Sequence, residues 1–158
     1  MYLGLDVGGT KIAAGLVNEN YVVVAKTEVE TEAFKGIDGI VKNIHRAVDE
    51  LGPDSLDGVG IGFAGQIDRY AGEIIYSPNM PTFRNIKMVD RIKGDLEDLL
   101  TPGAEVIIDN DANAFALAEY KVGKGKDTKN FIGLTVGTGV GGGVIINGEL
   151  YHGMGFAS

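Results

Sequence analysis

Tyr2-Leu3-Gly4-Leu5-Asp6-Val7-Gly8-Gly9-Thr10-Lys11-Ile12-Ala13-Ala14-Gly15-Leu16-Val17 is the stretch on which the reading of the fold turns. Two apolar runs, Tyr2 to Val7 and Lys11 to Val17, flank Gly8-Gly9-Thr10. Short apolar runs broken by glycine predict two strands and a tight turn. Asn18-Glu19-Asn20 is a second turn signal, and Tyr21 to Val29 is a third, β-branched run. Three strands with tight connections predict an antiparallel meander, with Asp6 just before its glycine bend.

Downstream the period changes. Ile37, Ile40, Val41, Ile44, Val48 and Leu51 make one apolar stripe at helical spacing, ended by Gly52-Pro53. His45 lies beside that stripe and reads as a helix-surface residue. Strands are expected at Gly58 to Phe63 and Glu73 to Tyr76, with a loop at Ser77-Pro78-Asn79-Met80-Pro81. Val89, Ile92, Leu96, Leu99 and Leu100 predict a second helix ended by Pro102-Gly103. Glu105 to Ile108 predicts a buried strand, and Asp109-Asn110-Asp111 leads into a helix over Ala112 to Val122. Gly123-Lys124-Gly125-Lys126 suits a lobe boundary. Phe131 to Val136 and Val144 to Ile146 read as strands, Gly137 to Gly143 as a glycine loop, and Asn147-Gly148 as a two-residue hairpin turn. The expected class is α/β, in the order βββαββαβα over residues 1–122, with a new hairpin opening a second lobe at 123–158.

Composition excludes several functions. The net charge of −8 argues against a nucleic-acid partner. The absence of cysteine excludes disulfides and a thiolate zinc site in this chain. No apolar run approaches the roughly 20 residues of a membrane helix, and Met1 to Asp6 carries no leader pattern, so the default expectation is a cytoplasmic protein with no membrane partner. Glycine, 25 of 158 residues, is about twice its average usage of roughly 7% and calls for turns and close backbone approaches.

Two stretches fit the dinucleotide pattern G-x-G-x-x-G: Gly60-Ile61-Gly62-Phe63-Ala64-Gly65 and Gly137-Thr138-Gly139-Val140-Gly141-Gly142. Neither precedes a helix, so neither meets the condition that gives the pattern its meaning. What remains is a β-turn-β phosphate site, in which successive backbone N–H groups face an anion. A lone Gly-Gly-Thr needs only to be a tight hairpin, and Asp6 beside it only a solvated carboxylate. The second glycine turn at Gly137-Thr138-Gly139 and the Asn110-Asp111 pair favour the phosphate reading, with Asp6 holding Mg2+ beside the phosphates. Helix capping explains one residue of Asn110-Asp111. A carboxylate at a strand end also suits a kinase, which needs a base within reach of the attacking hydroxyl.

Four segments together resemble the ROK family of sugar kinases and repressors. These are Asp6-Val7-Gly8-Gly9-Thr10-Lys11, the loop from Gly60 to Asp68, Asn110-Asp111-Ala112-Asn113-Ala114, and the run from Gly137 to Gly143. The resemblance is collinear and implies a ribonuclease-H-like lobe of the actin-like ATPase superfamily, followed by the start of a second lobe. It implies ATP-dependent phosphorylation of a hexose, glucose at its 6-hydroxyl foremost. By resemblance Asp111 is the general base, and Asn110, Gly65, Gln66 and Asn79 lie on the sugar side. Gly8, Gly9, Thr10 and Lys11 face ATP from one side and Gly137, Thr138 and Gly139 from the other, with Asp6 at the metal.

The chain departs from the family pattern at Ala64, where proline is frequent, and at Gly155-Phe156-Ala157-Ser158, beyond which the family has a sugar-gripping Glu-x-Gly-His motif. His152 is not that histidine. The resemblance therefore implies the N-terminal half of a kinase, little turnover from this chain alone, and self-association through an incomplete second lobe. The competing readings are a non-catalytic sugar- or nucleotide-binding module and a sugar-responsive regulator of the same family.

Overall fold

The computed structural model describes residues 1–80, 83–137 and 139–153. β1 (Tyr2–Val7), β2 (Lys11–Val17) and β3 (Val23–Glu30) form the antiparallel meander predicted by the opening stretch. After α1 (Gly36–Leu51), β4 (Leu56–Phe63) lies parallel to β1. Three short strands, β5 (Gln66–Asp68), β6 (Glu73–Tyr76) and β7 (Arg84–Lys87), make a separate antiparallel sheet. α2 (Met88–Asp95) and a 3-10 turn (Glu97–Leu99) lead to β8 (Leu100–Asn110), parallel to β4. α3 (Asp111–Val122) is followed by β9 (Phe131–Val136), β10 (Val140–Ile146) and β11 (Glu149–Tyr151), which form a third sheet. The main sheet runs β3-β2-β1-β4-β8. The α/β class expected from the sequence is what the chain adopts.

Alternation explains which way the site faces. Leu3, Leu5 and Val7 of β1 and Val59, Ile61 and Phe63 of β4 are buried in the main core with Ile40, Ile44, Ala47 and Val48 of α1 and Met88 and Ile92 of α2. Each such large side chain contributes about 1.5–3 kcal/mol when fully buried. The intervening residues Gly4 and Asp6, and Gly60 and Gly62, take the opposite face. There Gly62 meets α3: a Cβ at Gly62 would lie 3.5 Å from that of Ala114. His45 sits on the outer side of α1, its Nδ1 3.0 Å from Asp95 Oδ2 at the end of α2, as a surface residue.

Three local expectations are revised. The strands β5 and β7 flank the expected β6. The second helix ends at Asp95, so that Leu100 opens β8, and Pro102-Gly103 lies inside that strand at an irregularity where the pairing jumps from Leu56↔Leu100 to Gly58↔Glu105. Gly141 to Gly143 belong to β10 rather than to a loop: they pair with β9, and α3 packs close against Gly141 and Gly143. A Cβ on Gly143 would fall 2.6 Å from that of Ala116. Asn147 (φ 53°) and Gly148 (φ 88°) make the expected hairpin turn, now joining β10 to β11.

The third sheet turns Ile132, Leu134 and Val136 to solvent. Phe131 and Ile145 of the same sheet are partly and fully buried. Among the described residues no helix is long and apolar enough to cross a membrane.

Candidate active site

The three parallel strands of the main sheet finish level with one another. Val7 pairs with Phe63, and Phe63 with Asn110. The segments that follow, 8–10, 64–66 and 110–111, therefore emerge side by side at the carboxyl edge, where open α/β sheets bind ligands.

Asn110 is the N-cap of α3. Its Oδ1 accepts from the N–H of Ala112 at 2.9 Å and of Asn113 at 3.3 Å. Its Nδ2 donates to the Gly65 carbonyl at 3.0 Å, which leaves one amide hydrogen for a ligand. The capping role weighed from the sequence and the link to the loop between β4 and β5 thus belong to one side chain. Asp111 is the first helical residue and is exposed, its Oδ1 accepting from the Ala112 N–H at 3.0 Å.

Gly65 has a φ of 156°, and a Cβ there would stand 2.4 Å from the Tyr76 carbonyl oxygen. The backbone must pass this close for Gly65 to reach Asn110. The buried Ser77 hydroxyl donates to the Ala64 carbonyl at 2.7 Å and straps the same loop, in the place where proline was missing. Gln66 opens β5 and is exposed.

Asp6 faces Asp111. Protein packed around the Asp6 carboxyl raises its pKa above the ordinary carboxylate value, and the Asp111 charge raises it further. The Asp6 carboxylate is an oxygen donor of the kind a hard divalent cation takes, and Mg2+ is commonly held by one or two carboxylates together with substrate phosphates. The residues present therefore fit that ion. Among the described residues no group of three or more His, Cys, Asp or Glu side chains is arranged for a metal.

In the first glycine turn the Gly8 N–H donates to the Lys11 carbonyl at 3.0 Å. Among the described residues no acceptor takes the Gly9 or Thr10 N–H, so these two amides are the ones available to an anion. Asn79 lies against this turn: a Cβ on Gly9 would be 3.2 Å from that of Asn79. The Lys11 ammonium is engaged by Glu28 on β3.

The second glycine turn approaches from the third sheet. Gly141 stands opposite Ala112, Gly143 opposite Asn113 and Ala116, and Gly148 opposite Tyr120. β10 thus runs along α3 in the same direction, which brings the β9–β10 turn to the helix end that carries Asp111. Gly137 donates to the Gly139 carbonyl at 2.9 Å, and Thr138 lies outside the described residues, as do Pro81 and Gly155 to Ser158. Among the described residues no hydrogen bond joins the two glycine turns.

Asp109, Arg69 and His152 have no site role in the sequence reading, which names Asp109 only as the lead into α3 and sets His152 aside as not the sugar-gripping histidine. Asp109 Oδ2 is 2.7 Å from His152 Nε2, and Arg69 Nη1 is 3.2 Å from His152 Nδ1. Separations of 43 and 83 residues leave no local signal for these contacts.

Known proteins carry the same pattern. The ROK family's sequence pattern matches residues 2–158. A glucokinase of Thermotoga maritima is 35% identical over 96% of this chain and 46% of its own length. An N-acetyl-D-glucosamine kinase of Photobacterium profundum is 41% identical over 98% of this chain and 49% of its own length. The solved ROK-family glucokinase of Streptomyces griseus, in complex with glucose and AMPPNP, superposes with a TM-score of 0.86 at 36% identity, over 99% of this chain and 48% of that one. The chain spans about half the length of the curated relatives it matches.

Proposed function

Because the chain belongs to the ROK family, we propose that its carboxyl-edge site serves ATP-dependent phosphorylation of a hexose, glucose at the 6-hydroxyl being the first substrate to test. The observation that carries this reading is the exposed Asp111 at the start of α3, flanked by Asn110 bonded to Gly65 and by Asp6. Kinship with glucokinases and the AMPPNP complex of the Streptomyces griseus protein support it.

In this reading Gln66 and the remaining amide hydrogen of Asn110 orient the sugar, with Asn79 at the edge of the pocket. Asp111 accepts the proton of the attacking hydroxyl as the sugar oxygen bonds to the γ-phosphorus and ADP departs. The N–H groups of Gly9 and Thr10 face the phosphates, and the Gly137–Gly139 turn faces them from the third sheet. Mg2+ at Asp6 supplies positive charge beside the phosphates. We assign residues 1–122 to a first ribonuclease-H-like lobe and 123–158 to the start of a second. From these 158 residues alone, about half the relatives' length, binding is expected and little turnover.

The test is calorimetric titration with glucose and with Mg-ATP, together with ADP release in a kinase-competent preparation that includes residues 1–158. Binding of both ligands, and loss of about 100-fold or more in turnover for Asp111→Asn, supports the reading. Sugar binding without nucleotide binding points to a sensor instead.

A further inference from the structure

We infer that His152 is a positioning residue for the Asn110-Asp111 segment. It ties the end of the third sheet to Asp109 and, through that carboxylate, fixes the start of α3. Its consequence for catalysis rests on the hexose-kinase reading; the tether itself does not.

Asp109 is the penultimate residue of β8, just ahead of Asn110, and both of its oxygens are engaged. Oδ1 accepts from the Asn110 N–H at 2.8 Å and from Asn113 Nδ2 at 2.9 Å, so one carboxylate oxygen fixes both ends of the first helical turn. Oδ2 is 2.7 Å from His152 Nε2. Arg69 Nη1 lies 3.2 Å from His152 Nδ1 and 3.1 Å from Nε2. A guanidinium has only donors and an ionised carboxylate only acceptors. One tautomer follows from the carboxylate: Nε2–H donates to Asp109, while the Arg69 guanidinium, nearly equidistant from both ring nitrogens, packs against the imidazole without lying in line with either lone pair.

The His152–Asp109 pair is sheltered, the two side chains being 21% and 22% exposed, whereas Arg69 is exposed. Arg69 is itself anchored, because Asp68 Oδ1 accepts from the N–H groups of Tyr70 and Ala71 at 3.0 and 2.9 Å. The helix start with Asn110 and Asp111 and the residue after β11 therefore meet at the Asp109 carboxylate, and Arg69, just after β5, joins them through His152. A displacement of the third sheet, which carries the second glycine turn, is passed to Asp109 and from there to the reacting carboxylate.

Glutamine offers both an N–H donor and a carbonyl acceptor; alanine offers neither. Amide hydrogen exchange of the 158-residue chain is to be measured for wild type, His152→Ala and His152→Gln, alongside calorimetric titration with glucose. The alanine variant is expected to exchange the Asn110, Ala112 and Asn113 amides about tenfold faster, with Ile44 and Val48 in α1 unchanged and glutamine within about twofold of wild type. Glucose affinity is expected to follow the same order. Three results overturn the proposal: no acceleration in the alanine variant, equal acceleration in α1, or a glutamine variant no better than alanine. A wild-type chain that fails to bind glucose refutes the kinase reading instead, and the exchange data still decide the tether.

Discussion

Asp6 and Asp111 face each other across the carboxyl edge of the main sheet, and burial first, then the charge of Asp111, raises the Asp6 pKa above its ordinary value. Folded Asp6 therefore holds its proton more tightly than it does in the unfolded chain. Between the ordinary value of 3.8 and the raised one the native state carries the extra proton, so stability falls as pH rises through that window. Above it ionised Asp6 opposes folding; well below 3.8 both states are protonated and the effect disappears. Asp6→Asn is expected to raise Tm at neutral pH by no more than about 2 °C, since Asp6 is packed on one side only and keeps enough solvent contact for its charge to be screened. The difference should vanish near about pH 3. Mg2+ should raise Tm in wild type and not in the variant. Scanning calorimetry at both pH values checks all three.

Asn110 combines a cap and a loop anchor, and substitution separates them. Asn110→Asp keeps the oxygen that accepts from Ala112 and Asn113 but loses the donor to Gly65. Asn110→Ala loses both and should cost about 1–2 kcal/mol in urea unfolding. The aspartate variant keeps the cap but turns a carboxylate oxygen toward the Gly65 carbonyl beside Asp109 and Asp111, so it too should lose about 1 kcal/mol and bind glucose more weakly, because the Gly65 loop has lost its anchor. Equal affinity for wild type and Asn110→Asp would show that the anchor is irrelevant to the sugar.

Gly65→Ala forces a Cβ into the Tyr76 carbonyl, 2.4 Å away, at a φ that L side chains rarely adopt. A loss of about 1–3 kcal/mol is expected. Gly60→Ala on the neighbouring strand meets nothing within 4 Å and serves as the control. Similar unfolding midpoints for the two variants would mean that the loop shifts without cost.

Much of this architecture is legible locally. The β1–β3 meander, the α1 stripe and the Asn147-Gly148 turn depend on periodicity and turn chemistry within a few residues. Asn110 as N-cap is equally local. Other features are decided at a distance. Gly141 to Gly143 resemble a loop because glycine is poor in strands, but the close approach of α3 demands them there. β5 and β7, of three and four residues, carry too little pattern to be seen, and each is defined by its partner β6. Pro102-Gly103 looks like a helix stop, whereas it marks an irregularity in β8. The His152–Asp109 contact exists only once the third sheet has folded against α3.

The outward face of that sheet shows Ile132 at 64%, Leu134 at 65% and Val136 at 82% exposure, a contiguous apolar row. Such a face favours association. The 158-residue chain is expected to show a weight-average mass that rises with concentration in sedimentation experiments, and Leu134→Lys to reduce that rise. A concentration-independent monomer mass for wild type would contradict this.

The central claim is that the first glycine turn, the Gly65 loop and the start of α3 form one ligand site. An NMR titration of the chain with glucose and then Mg-AMPPNP tests it residue by residue. The account predicts glucose-dependent shifts at Gly65, Gln66, Asn110 and Asp111, followed by nucleotide-dependent shifts at Gly9, Thr10, Gly137 and Gly139. Shifts confined to the groove between α1 and α2 around Lys42, His45 and Arg91, or nucleotide shifts that leave Gly9 and Thr10 unmoved, would contradict it.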